Sequence, residues 1–224
     1  MPTHLERELD LLKRKILTLC GMAEDVVHRA VRALMDRDAR AATEVMQTDL
    51  QIDQMEVEVE EDCLKILALH QPVAIDLRFI ISVLKINSDL ERVGDMAANI
   101  AERAAFLSEK RTLDLPIDYS EMADKAQAML KKAIDALVNM DAALAREVCA
   151  ADDEVDEINR QMYARIQAAI GEHPDRLDCL LHLLAVSRQL ERIADHATNI
   201  AEDVIYMVKG EIVRHRAADY SSQC

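Results

Sequence analysis

Carboxylates recur in this chain at spacings that suit cation binding. The stretch LERVGDMAANIAE, Leu90 to Glu102, returns as LERIADHATNIAE, Leu190 to Glu202, with nine of thirteen positions identical. Five of those nine are polar or charged. Packing alone would preserve the apolar positions and let the polar ones drift, so the repeat implies the same chemical surface twice. On a helix at about 100° per residue, Glu91, Asp95, Asn99 and Glu102 fall within about 80° of one another. Leu90, Val93, Ala97, Ile100 and Ala101 cluster on the other side, and the second copy sets Glu191, Asp195, Asn199 and Glu202 against Leu190, Ile193, Ala197, Ile200 and Ala201. This places the acidic stripe outward, opposite the core.

The segment preceding each copy carries a stripe of its own. Asp49, Asp53, Glu56 and Glu60 recur at spacings of four, three and four; the matching residues later are Asp152, Asp156, Asn159 and Tyr163. Each half thus holds two acidic i,i+4 pairs on successive helices. Such pairs repel by a few tenths of a kcal/mol each, roughly, and something positive has to offset that. The plain reading is a solvated face, or ion pairs with Arg78, Arg92, Arg188 or Arg192. The chemical reading is a metal site, and an oxygen-rich set suits Mg²⁺, Ca²⁺, Mn²⁺ or iron. Structural zinc is disfavoured, because no Cys/His set converges. Di-iron chemistry of the ferritin type wants Glu-x-x-His, which occurs nowhere in the chain. His196 takes the place of Met96 in the repeat and reads as a surface or packing residue, with a nitrogen ligand for the second site as the alternative; His70, His173 and His182 show no convergent partners. Met22, Met35, Met55 and Met162 read as core filler.

The elements that must position these residues are helices. Half of the 224 residues are hydrophobic, with four Gly, four Pro and six aromatics. That is too little punctuation for a β protein, and Ala, Leu, Ile, Met, Glu and Arg favour helices. Six are expected: Thr3 to Met35 with a Thr3/Glu6 capping box, Asp38 to His70, Val73 to Glu109, Asp118 to Asn139, Asp141 to Gly171, and Asp175 to Arg214. Gly171 serves as the C-terminal glycine. A loop at Leu115-Pro116 separates the halves. The fold is therefore all-α, two pseudo-symmetric antiparallel three-helix bundles, 1–112 and 113–216, followed by a polar tail, 217–224. DARAATEV from Asp38 matches DAALAREV from Asp141 at an offset of 103, whereas the main motif repeats at 100, so the second half is three residues shorter.

The net charge of −15 repels phosphate backbones and argues against nucleic-acid binding. Five scattered cysteines read as reduced thiols. No apolar run reaches the ~20 residues of a membrane span, and a cytoplasmic protein is expected. There is no Gly-rich phosphate loop and no GxSxG.

Two copies of LERxxDxAxNIAE, an acidic segment on the preceding helix, and QPVAIDLRFI from Gln71 to Ile81 resemble the PhoU family of phosphate-signalling proteins over essentially the whole chain. The second copy departs at Ala194, where the first has Gly94; this should not affect a carboxylate site. The resemblance implies two three-helix bundles and a non-enzymatic negative regulator of the phosphate-starvation response. Such a regulator links a phosphate ABC transporter ATPase to a membrane sensor histidine kinase, often as a homodimer. It further implies metal clusters, iron foremost with Mg, Mn, Ca or Zn as alternatives, at Asp49, Asp53, Glu91 and Asp95 and at Asp152, Asp156, Glu191 and Asp195. Asn99, Glu102, Asn199 and Glu202 extend these sets. Two other readings use the same acidic faces: a metal-dependent hydrolase or oxidase, and a purely structural helical module.

Overall fold

A computed structural model describes residues 4–110 and 117–213. It contains six α-helices: α1 (His4–Asp36), α2 (Ala39–His70), α3 (Ala74–Ser108), α4 (Ser120–Asn139), α5 (Ala142–Glu172) and α6 (Leu177–Lys209), with a 3₁₀ turn at Pro174–Arg176. The expected Thr3 cap, the Leu115-Pro116 loop and the C-terminal tail lie outside the described residues.

The turns repeat between halves as the sequence does. Asp38 Oδ1 accepts from the backbone N–H of Arg40 and Ala41, at 2.9 and 3.0 Å. Asp141 Oδ1 does the same for Ala143 and Leu144, at 2.8 and 3.1 Å. Each cap satisfies amide donors that a helix start leaves open. Just before them, Arg37 and Met140 sit at φ 53°, closing α1 and α4 in left-handed turns without glycine. The fourth helix starts at Ser120 rather than Asp118, with Tyr119 as its N-cap, and Asp118 Oδ1 accepts from Ser120 N at 2.9 Å just ahead of it.

Two expected helix ends are corrected. Gly171 is interior to α5, which continues to Glu172; the stop comes from Pro174, whose ring suits the first position of the 3₁₀ turn. And α6 ends at Lys209, not Arg214. Gly210, at φ 74°, is its left-handed cap and donates to Tyr206 O at 2.8 Å. The left-handed φ favours glycine there, and a Cβ at Gly210 would push the Arg78 guanidinium aside.

Within each half the three helices pack on one another, and the halves join through α3 against α6 and α1 against α4. One continuous apolar core runs through both. Leu90, Val93, Ala97, Ile100 and Ala101, with their counterparts on α6, are all buried as expected. Met22 and Met55 pack partly against the core and Met162 lies within it, but Met35 is 47% exposed at the end of α1. Cys20, Cys63 and Cys179 are buried thiols; burial holds Cys20 and Cys63 at about 12, which makes them inert.

The seam between α3 and α6 is antiparallel and partly polar. Asp89 Oδ1 accepts from His196 Nδ1 at 2.7 Å and from the Asn199 amide at 3.3 Å. Lys85 Nζ donates to the buried Asp203 at 3.2 Å, and the Phe106 and His182 rings stack at 3.8 Å. His196 therefore ties the two halves together, a role its position beside Asp195 had not disclosed.

Candidate metal centre

The acidic segment of α2 lies along α3, and that of α5 along α6. Antiparallel packing of successive helices brings Asp49 and Asp53 beside Glu91 and Asp95, and Asp152 and Asp156 beside Glu191 and Asp195. The stripes are not carried opposite the core. They sit in the grooves between helices: six of the eight residues are half-buried, and Asp95 and Asp195 are exposed. A helical wheel for one helix cannot show that its flank is covered by the next.

The electrostatics follow from that placement. Loss of water around the Asp49 carboxyl, then the charges of Asp53 and Asp95, push it up to about 6. Asp49 Oδ1 is buried and has no hydrogen-bond donor. Asp195 is also raised to about 6. Its carboxyl is partly desolvated although the residue as a whole is exposed, and Glu191, Asp152 and Asp156 add their charge. Glu91, Asp152 and Glu191 shift upward for the same reasons, desolvation first. Among the described residues none of the eight carboxylates makes an ion pair within 4.0 Å. Arg92, Arg188 and Arg192 lower their neighbours only at a distance. Among the described residues, counter-charge thus reaches these groups only through nearby arginines and without an ion pair.

The second centre is the more convergent. Oxygens of Asp156, Glu191 and Asp195 lie within 4.8 Å of one another, and the Asp152 carboxylate accepts from Thr198 at 3.3 Å. Glu191 and Asp195 border a cavity of about 470 Å³ that is also lined by Asn159, Tyr163, Leu184, Arg188 and Arg192. The first centre has the orphaned Asp49 oxygen instead, set against Gly94. An all-oxygen donor set with raised affinity for protons fits a hard or borderline cation. Asp49, Asp53, Glu91 and Asp95 would hold one in the first half, and Asp152, Asp156, Glu191 and Asp195 in the second.

The outlying candidates turn elsewhere. Asn99 donates to Asp95 O at 2.8 Å, Glu102 pairs with Arg103, and Asn199 belongs to the α3–α6 seam. Glu202 lines a separate cavity of about 160 Å³ with Lys85 and Tyr206.

Two residues missed in the sequence fix the helix pairs one turn away. The buried Asn87 amide donates to Glu56 O at 2.9 Å and Oε1 at 3.2 Å. At the equivalent place Ser187 Oγ donates to Asn159 Oδ1 at 2.6 Å. Glu56 and Asn159 are related by the offset of 103, and Asn87 and Ser187 by 100; aligning all four would have revealed the clamp.

Comparison with known proteins agrees with this architecture. A family model described as PhoU domain matches twice, over residues 16–104 and 119–204. The phosphate-specific transport system accessory protein PhoU homolog of Pseudomonas aeruginosa is 41% identical over 93% of this chain and 86% of its own length. The Aquifex aeolicus homolog is 38% identical over 95% of this chain and 96% of its own. The crystal structure of PhoU from Pseudomonas aeruginosa superposes with a TM-score of 0.87 at 40% identity, covering 92% of this chain and 99% of that one. That of the phosphate transport system regulatory protein PhoU from Streptococcus pneumoniae gives 0.83 at 30% identity, covering 94% and 99%.

Proposed function

The chain belongs to the PhoU family, and from that premise we propose that it is a non-enzymatic accessory protein that regulates phosphate transport. Its relatives are named as accessory and regulatory proteins of a phosphate transport system. The finer reading is a negative regulator that couples a phosphate ABC transporter ATPase to a sensor histidine kinase, acting as a homodimer on the cytoplasmic side. Among the described residues no helix is long and apolar enough to cross a membrane, and in this reading membrane contact runs through partners.

In this reading the two carboxylate centres bind metal ions, with iron first and Mg, Mn, Ca or Zn as alternatives. The observation that supports it is the matched pair of acidic grooves whose carboxylates make no ion pair among the described residues, one of them containing a buried carboxylate oxygen without a hydrogen-bond partner there. A bound cation neutralises the repulsion and fixes α2 on α3 and α5 on α6, which sets the surface offered to partners. The experiment combines elemental analysis of the purified chain with thermal melts with and without chelator. Metal at the centres and a melt lowered by chelator are expected; no metal and an unchanged melt overturn the metal reading. Derepression of phosphate-uptake genes by a folded Glu91→Ala/Asp95→Ala variant tests the regulatory role against a purely structural one. The cavity beside Glu191 and Asp195, next to the converging Asp156, is the feature that would favour a metal-dependent hydrolase or oxidase, and chelator-sensitive turnover would establish it.

A further inference from the structure

A second kind of ligand set stands at the opposite chemistry. His4 and Glu8 are one turn apart on α1, so both side chains project from one face. His70 is the last residue of α2, and because α2 runs back along α1 its end meets the α1 start. His70 Nε2 lies 3.0 Å from Glu8 Oε2, and His4 Nδ1 lies 3.6 Å from Glu8 Oε1. One ligand atom from each residue falls within 4.8 Å of the other two. The imidazole rings stack with centroids 5.6 Å apart. The sequence alone gave His70 no partner, since Glu8 is 62 residues away.

We propose that His4, Glu8 and His70 form a zinc-class divalent-cation site, distinct from the carboxylate centres. Two imidazoles and one carboxylate are borderline ligands of the kind zinc takes, with water free to fill the fourth position. Ligand atoms on one tetrahedral zinc stand about 3.3 Å apart; His70 and His4 approach the two separate oxygens of Glu8 at 3.0 and 3.6 Å, so the carboxylate offers an oxygen to an ion on the side of either imidazole. Glu8 and His70 are largely shielded, with side chains 12% and 21% exposed, whereas His4 is open at 76%. The site therefore has a shielded floor and an exposed third arm on the side from which an ion enters. Lys65 occupies part of the space, 3.2 Å from Glu8 Oε1, on a side chain 57% exposed. It keeps Glu8 charged, with its pKa lowered chiefly by that hydrogen bond, and it swings into solvent when a cation takes its place. The carboxylate centres, lacking nitrogen, favour harder ions, so the two kinds of site are separable by metal.

The test uses the full chain, free of any affinity tag, in an Asp49→Asn/Asp195→Asn background that weakens the carboxylate centres. Zn²⁺ and Mg²⁺ are titrated separately, following the imidazole proton resonances by NMR and the affinity by competition with a chromophoric chelator. Zn²⁺ is expected to shift the His4 and His70 signals, and Mg²⁺ to leave them in place. His70→Ala should weaken zinc binding by about tenfold or more, the scale seen when support for a metal is removed. Lys65→Gln, which leaves the packing untouched, should tighten it. The inference is overturned if zinc shifts neither imidazole, or if His70→Ala in a folded chain binds zinc as the parent does.

Discussion

Gly94 faces Ile52 with no space between them. A methyl group at Gly94 would stand 3.0 Å from Ile52 Cδ1, 3.1 Å from its Cγ2 and 3.2 Å from Asp49 Oδ1. In the second half the equivalent positions are Ala194 and Val155, both buried. The larger residue on α3/α6 is thus matched by the smaller on α2/α5, and the departure from glycine at Ala194 is absorbed by the loss of one methylene from isoleucine.

From this pairing, Gly94→Ala should destabilise the chain by about 1 kcal/mol, because overpacking outweighs the gain in helix propensity. It should also weaken metal binding at the first centre by displacing Asp49. Adding Ile52→Val should restore both. Urea denaturation of the single and double variants measures the coupling; strict additivity would show that the two residues do not meet.

The pH dependence of the metal-free chain has a defined sign. Asp49 and Asp195 are held at about 6 when folded, above their ordinary value near 3.9, roughly. In the window between those values the folded chain binds more protons than the unfolded one, so these groups contribute stability at low pH that is lost as pH rises through 6. Metal-free chain should resist urea better at pH 5 than at pH 7.5, and Asp49→Asn/Asp195→Asn should flatten that difference. With saturating metal the order should reverse, because protons compete for the carboxylates.

Neutralising Asp195 removes one of four mutually repelling charges at the second centre. Asp195→Asn should raise the melting temperature of the metal-free chain and reduce the further rise on adding metal. Calorimetry with and without metal reads both. A variant that melts lower without metal would mean that Asp195 already has a partner in solution.

The paired caps offer a control unconnected with metal. Asp38→Ala and Asp141→Ala should each cost about 1 kcal/mol, equally with and without chelator. A chelator-dependent cost would tie the turns to the centres.

Much of this was legible because the helices are long and strongly patterned. The motif placed Leu90 to Ala101 in the core, and the aspartates after each tight turn marked where α2 and α5 begin. What one helix cannot reveal is what lies across from it. The acidic stripe reads as outward on a wheel, yet the neighbouring helix half-covers Asp49 and Glu91. Gly171 had the right residue type for a helix end, but Pro174 decides where α5 stops, and the left-handed glycine cap is Gly210 at the end of α6. His70 looked solitary because its partners come from the far end of another helix.

The antiparallel seam of α3 and α6 also limits how the two copies can diverge. The polar clamps, Asn87 with Glu56 and Ser187 with Asn159, place the three-residue deletion between 159 and 187, around the turn that leads into α6. Along the seam itself the numbering never slips, because a shift on one side would break Asp89 from His196 and Lys85 from Asp203. Length can therefore change only at the tips, while identity is free to change in place, as Met96 and His196 have done. Each copy constrains the other's geometry and leaves its chemistry open, so a duplicated chain of this kind can acquire two differently tuned sites without ever becoming two independent modules.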